Sequence, residues 1–189
     1  MSESSITWLA ADPPFTLLAE HDGESAGMLR KAYGCFPTGV VAVCALCDGQ
    51  PVGMAASSFV PVSIDPPLLS FCVQWTSNTW ARLSKSTRLG ISFLGASHDA
   101  AARKLASRAE DKFDGFGLGA TPGGAVLVDG AVVWIECSVE SVVPAGDHGI
   151  VLLRIIALTM RPHVEPLVFH GSTFRQLQTA MPLSSRAHA

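Results

Sequence analysis

Apolar and polar positions along this chain fall mostly into short β-type runs rather than helical stripes. Val40–Leu46 is apolar and β-branched-rich, which predicts a strand. Asp48-Gly49 then predicts a hairpin turn, because both residues tolerate positive φ. Val52–Val60 predicts the returning strand, small and unusually polar at Ser57-Ser58. Asp65-Pro66-Pro67 ends that unit, and Leu68–Gln74 predicts another strand. Helical signals are fewer. Ser25 as cap and Gly34 as stop bracket a short helix over 25–33. Ser77–Ser86 predicts a second helix. The Ala-rich stretch Asp99–Ala109, with Ser97 or Asp99 at its start, predicts a third. Leu89–Leu94 predicts a short strand between them. Residues 110–124 form a loop with five glycines. Asp129-Gly130 predicts a second hairpin, between Ala125–Val128 and Ala131–Val143. Pro144-Ala145-Gly146-Asp147 predicts a turn, Ile150–Met160 a long strand, and Leu167–Phe169 a short last one. Strands joined by hairpins, with helices inserted, predict a mainly β antiparallel barrel rather than alternating βαβ units.

Length and composition refine this picture. At 189 residues the chain predicts one domain, with an arm over 1–24, the body over 25–180 and a tail over 181–189. Pro13-Pro14 breaks the arm, yet Trp8, Phe15, Leu17 and Leu18 suit packing on the body or on a partner subunit. Charged residues make up 15% of the chain, against about 25% in typical soluble domains. Mean hydropathy is +0.34. A surface so poor in charge predicts an oligomer or a covering ligand. Net charge is −3 without a basic run, which argues against nucleic acid. Asp129 and Arg154 interrupt the longest apolar runs, so no membrane helix is expected. The first basic residue is Arg30, which does not fit a signal peptide and predicts a cytoplasmic location. The five cysteines, Cys35, Cys44, Cys47, Cys72 and Cys137, sit mostly in apolar runs as small buried hydrophobes.

Several motifs fail on context. Cys44-Ala-Leu-Cys47 has a redox or zinc spacing, but in a strand positions three apart point to opposite faces, and no second Cys/His pair completes a metal site. Gly115-Phe-Gly117-Leu-Gly119-Ala120 fits G-x-G-x-x-A, yet it neither follows a strand nor opens a helix. Three segments are more informative. Met54-Ala55-Ala56-Ser57-Ser58-Phe59 has side chains small enough for a flat ring to approach the backbone. Ser77-Asn78-Thr79-Trp80 puts hydroxyls at a helix start that favours phosphate, with Arg82 and Lys85 nearby. Gly146-Asp147-His148 sets an imidazole in a tight turn, as a donor toward a substrate carbonyl or amide. Taken singly, each also reads as ordinary structure: a strand end, an N-cap and a solvated loop histidine.

Together these segments resemble the flavin reductase-like family, the FMN-binding split-barrel reductases that supply two-component monooxygenases. The matching stretches are Phe36-Pro37-Thr38-Gly39-Val40, Gly53–Phe59 with Ser63-Ile64-Asp65-Pro66-Pro67-Leu68, Ser77-Asn78-Thr79-Trp80, Asp111-Lys112-Phe113 and Gly146-Asp147-His148. Their order and spacing extend over roughly residues 28–178. The resemblance implies a six-stranded antiparallel Greek-key split barrel, working as a homodimer with flavin near the subunit interface. NADH or NADPH would reduce FMN or FAD, and the reduced flavin would leave for a transient oxygenase partner. Pro37, Thr38, Gly39 and Val40, with Met54, Ala55, Ala56, Ser57, Ser58 and Phe59, would line the isoalloxazine and ribityl chain. Leu94 would join them. Ser77 and Thr79 would lie near the phosphate and Phe113 near the adjoining loop. Asp147 and His148 would meet the nicotinamide, with His148 the candidate catalytic group.

Two positions depart from the family pattern. Ser92, in Ile91-Ser92-Phe93-Leu94, stands where the family often has Asn. Phe174, after Gly171-Ser172-Thr173, stands where it often has Tyr. No conventional triad is visible, which suits hydride transfer, because the flavin carries the chemistry. Two other readings remain open on sequence alone. One is an oxygenase or oxidase that keeps its flavin and acts on an organic substrate. The other is a flavin- or haem-binding carrier without turnover.

Overall fold

The computed structural model describes residues 16–109 and 111–177. The first fifteen residues of the expected arm and the whole 181–189 tail therefore lie outside the described residues. In chain order the elements are α1 (Gly23–Gly34), β1 (Thr38–Gly39), β2 (Val41–Cys47), β3 (Gln50–Ala56), β4 (Val60–Ser63), β5 (Leu68–Gln74), α2 (Asn78–Leu83) and β6 (Leu89–Phe93). A 3-10 turn (Ala96–His98) leads into α3 (Asp99–Ala106). There follow β7 (Leu118–Ala120), β8 (Val126–Val128), β9 (Val133–Ala145), β10 (His148–Met160), β11 (Val168–His170) and β12 (Thr173–Arg175).

The main sheet has seven strands in the order β3-β2-β6-β9-β10-β5-β4, all antiparallel. It curls around one core that takes residues from both ends of the sheet, including Val52 and Ala56 of β3 and Leu69, Phe71 and Val73 of β5. Trp80 and Leu83 of α2 close that core. The ladder is open between β3 and β4, so the barrel is split there. The expected antiparallel split barrel is thus observed, with seven strands rather than six.

β2 is buried on both faces, which explains its unbroken apolar run. Val41, Val43 and Ala45 face the barrel core, while Ala42 and Cys44 face a second core. That second core gathers Ala102 and Leu105 of α3, Val126 and Val128 of β8, and Leu167. β8 crosses so close to β6 that a Cβ on Gly90 would collide with the Val126 carbonyl.

The β2–β3 hairpin turns at Asp48 (φ 54°) and Gly49 (φ 75°), both positive as the sequence requires. Elsewhere local chemistry shifts the predicted boundaries. The cap of α1 is Asp22, whose carboxylate accepts from the Glu24 and Ser25 amides, while the Ser25 hydroxyl donates to Asp22. The strand expected over 52–60 breaks after Ala56. The Ser58 hydroxyl accepts from the Cys72 amide at 2.9 Å and donates to the Cys72 carbonyl at 3.2 Å, drawing the chain across to β5, where β4 pairs. α3 stops at Ala106 because Ser107 turns extended, its hydroxyl donating to the Lys104 carbonyl at 2.7 Å. The hairpin expected at Asp129-Gly130 does not form. β8 pairs with β7, inside the glycine-rich loop, and β9 pairs with β6 and β10. The buried His98 ring instead holds that turn, accepting from the Gly95 amide at Nδ1 and donating from Nε2 to the Asp129 carbonyl.

Candidate active site

β3 forms the floor of a groove on the outside of the barrel. Its middle section is a cleft of about 560 Å³, floored by Met54 and Ala55. Ser77, Asn78 and Thr79 at the start of α2 form one wall, and Leu105, Ala106 and Ser107 at the end of α3 form the other. Toward Ser57 the groove passes into a smaller apolar hollow of about 140 Å³, lined by Val40, Ala55, Ala56, Ala102, Phe169 and Phe174. Toward Pro51 it continues into a third hollow of about 350 Å³. Neighbouring sections share residues: Ala55 and Ala106 at one junction, Asn78, Thr79 and Lys112 at the other.

Alanines at 55, 56, 102 and 106 leave the backbone and Cβ atoms as the surface of the apolar end. A flat heterocycle fits such a surface, and Phe169 and Phe174 supply aromatic walls. Their centroids lie 5.4 Å apart, and the Arg103 guanidinium stands 4.8 Å over the Phe174 ring. The hairpin carrying both phenylalanines is held by β1, where Thr38 pairs with Phe169 and Gly39 with Val168.

Lys112 is the central charge of the groove. Its ammonium lies 3.5 Å from the Thr79 hydroxyl and 3.5 Å from the Leu105 carbonyl. Burial holds its pKa below the ordinary lysine value, against a raising influence from Cys44. Burial likewise pushes the Cys44 thiol beneath it up to about 12, which keeps that thiol inert. The ion pairs formed among the described residues involve Arg88, Lys104, His148 and Arg154, not Lys112. A half-buried ammonium with only neutral oxygens around it suits an anionic ligand. Phe113, the next residue, anchors the loop. A Cβ on Gly53 would stand 2.8 Å from the Phe113 ring and 2.5 Å from the Cys44 sulfur.

The candidate residues separate into groups. Val40, Met54, Ala55, Ala56, Ser57, Ser77 and Thr79 line the groove, and Phe113 lines its far hollow. Gly39, Phe59 and Leu94 border a separate pocket of about 160 Å³ on the other side of Val40. Ser58 is engaged with Cys72, and Thr38 belongs to the β1–β11 pair. Pro37 leads into that pair without lining any of these hollows. His148 stands directly across the β5–β10 ladder from Gln74, itself a cleft residue, so it sits at the rim on the same face. Asp147 accepts from His148 Nδ1 at 2.7 Å. The hydrogen bond and the charge of His148, with Arg30 adding a little, hold the Asp147 carboxyl below its ordinary value. With Nδ1 committed to Asp147, Nε2 is the ring nitrogen left for a ligand.

Ser92 is buried and its hydroxyl accepts from the Val128 amide at 2.9 Å, so it anchors β8 and does not face the groove. Because α2 has only six residues and Ser77 caps it through the Trp80 amide, its dipole is small. Side-chain cations supply most of the positive charge. Lys112, Arg108, Gln74, Phe169 and Phe174 are among the groove residues that the candidate set omits. Two of them had a signal: Lys112 inside Asp111-Lys112-Phe113, and Phe174 as a departure from the family pattern.

Comparison with known proteins agrees with this geometry. Residues 33–178 match the model of the flavin reductase like domain. The chain is 33% identical over 149 residues to the reductase subunit HsaB of a flavin-dependent monooxygenase from Rhodococcus jostii, covering 79% of this chain and 76% of that one. It is 36% identical over 170 residues to an NADH-dependent FAD reductase of Streptomyces globisporus, covering 87% and 91%. Among solved structures it resembles the NADH:FAD oxidoreductase SgcE6 of Streptomyces globisporus in complex with NAD and FAD fragments. There the TM-score is 0.78 at 34% identity, over 90% of this chain and 99% of that one. BorF, the flavin reductase component of a bacterial two-component tryptophan halogenase, gives 0.74 at 31% identity, over 82% and 99%. A groove floored by alanines and charged by a half-buried lysine, on a split barrel matched over most of its length, makes this chain a member of the flavin reductase-like family.

Proposed function

We propose that the protein is an NAD(P)H:flavin oxidoreductase that passes reduced flavin to a separate oxygenase component. The observation that carries this reading is the continuous groove along β3, apolar and small at one end and cationic at Lys112. Flavin supplies the redox chemistry when bound, accepting hydride from the nicotinamide. The chain's work is to bind and orient. Ala55, Ala56, Phe169 and Phe174 exclude water around the ring system, and Lys112 and Thr79 hold the phosphate. Backbone N–H groups near Ala56 and Ser57 are the donors available to stabilise charge gathering on the reduced ring. His148, held by Asp147, presents Nε2 toward the carboxamide of the nicotinamide.

We also assign a homodimer. Ile150 on β10 projects on the same face as His148, opposite Val143 of β9, and all of Val143, Ile150, Val60 and Val62 are exposed in the single chain. A second copy covering this apolar face would meet the rim of the groove. No helix among the described residues is long and apolar enough to cross a membrane.

The direct test is NADH and NADPH oxidation with and without added flavin. Turnover that requires free flavin supports a diffusing substrate. A yellow protein that ignores both nicotinamides would overturn the reductase reading. Ala55→Leu, at the junction of the middle cleft and the apolar hollow, fills the ring end of the groove and is expected to weaken flavin binding at least tenfold, about 1.4 kcal/mol. A normal flavin titration in that variant would move the ring elsewhere.

A further inference from the structure

The groove does not stop at Lys112. Beyond the junction formed by Asn78, Thr79 and Lys112 lies the third hollow, about 350 Å³. Pro51, Val52 and Gly53 form its floor, Phe113 supplies an aromatic wall, and Arg82 stands at its edge. From Ala56 to Pro51 the floor runs five residues of extended strand, about 17 Å at the usual rise. Lys112 lies at the boundary between the middle and far sections.

A flavin mononucleotide with its ring at Ala56 and its phosphate at Lys112 ends at that boundary and leaves the third hollow empty. A dinucleotide continues past it. The third hollow has what a second phosphate and a nucleoside need. Arg82 offers a planar fork suited to bidentate phosphate contacts, and no carboxylate pairs with it among the described residues. Phe113 and the apolar floor suit a purine. Arg82 closes the short helix α2, so its backbone is fixed next to the phosphate site.

We propose that the third hollow receives the adenylate half of FAD, so that this enzyme selects FAD over FMN, with Arg82 on the second phosphate. This rests on the reading above that flavin lies along β3 with its phosphate at Lys112.

Steady-state NADH oxidation with FAD, FMN and riboflavin tests it. The expected KM for FAD is at least tenfold below that for FMN. Arg82→Gln is expected to shrink that ratio severalfold, and AMP, as a probe of the hollow itself, is expected to compete with FAD. Saturable FMN reduction with no advantage for FAD would overturn this inference and leave the flavin reading standing. A preference for FAD undiminished in both Arg82→Gln and Phe113→Ala would remove the adenylate from this hollow. Competition of AMP against NADH alone would assign the hollow to the nicotinamide dinucleotide instead. Failure to bind any flavin would overturn the underlying reading together with this one.

Discussion

Lys112 sets an ammonium at the centre of the groove, and its pH dependence follows from the sign of its shift. Burial favours the neutral amine, so the ammonium loses its proton below the ordinary lysine value of 10.5. A phosphate binds the charged form. Flavin affinity is therefore full at neutral pH and is lost as pH rises through the lowered pKa. The expected record is a flavin KM that climbs on the alkaline side before pH 10.5, with the climb moved to higher pH in Lys112→Arg. Lys112→Gln removes a charge-assisted bond worth roughly 1.5–3 kcal/mol. It should raise KM for phosphorylated flavins by about tenfold to a hundredfold, and by less for riboflavin. Equal losses for all three would make Lys112 a structural residue. His148 calls for a different readout. If Nε2 meets the nicotinamide as proposed, His148→Ala should raise KM for NADH more than it changes the flavin titration. Unchanged NADH kinetics would remove it from the site.

At the scale of elements, the loop after α3 is positioned by a contact between distant parts of the chain. Gly53 lets the Phe113 ring lie on β3, and Phe113 in turn places Lys112. Gly53→Ala puts a methyl group where the ring and the Cys44 sulfur stand, a clash of the kind that costs about 1–3 kcal/mol. Thermal melts should show that loss, together with weaker flavin binding. Phe113→Ala combined with Gly53→Ala should destabilise by less than the sum of the two single changes; strict additivity would mean that they do not touch. This dependence also explains what the sequence could and could not disclose. Long apolar runs such as Val41–Cys47 and Leu68–Gln74, and the Asp48-Gly49 turn, were legible because strand period and positive φ are local. The floor residues Met54–Ser57 were legible for the same reason, as a run of small side chains. Lys112, Phe169 and Phe174 were not placed in the groove by local pattern, since they reach it only by closure of the eleven-residue loop between α3 and β7 and of a hairpin with three-residue strands. The Asp129-Gly130 turn misled because β7, carrying Leu118-Gly119-Ala120, has almost no strand signature, yet it takes β8 as its partner.

At the scale of the molecule, the low charge content and the exposed face around Ile150 both favour the proposed dimer. Val143 and Ile150 face each other across the β9–β10 ladder, both open to solvent in the single chain. Ile150→Glu places a charge in the middle of that face. Light scattering should give twice the chain mass for the natural protein and the chain mass for the variant. A monomeric natural protein would end the dimer assignment. The two faces of β2 lead to a last consequence. Because that strand is sealed between two cores, its amides can meet solvent only when the whole barrel comes apart, so they should be the slowest to exchange hydrogen for deuterium. The segment bearing Lys112 is fastened by the Phe113 and Phe116 rings and by Lys104 on Asp114, outside any sheet ladder, and should exchange by small local openings. A ligand could thus enter and leave the groove through movement of that segment alone, with the sealed strand beneath it undisturbed.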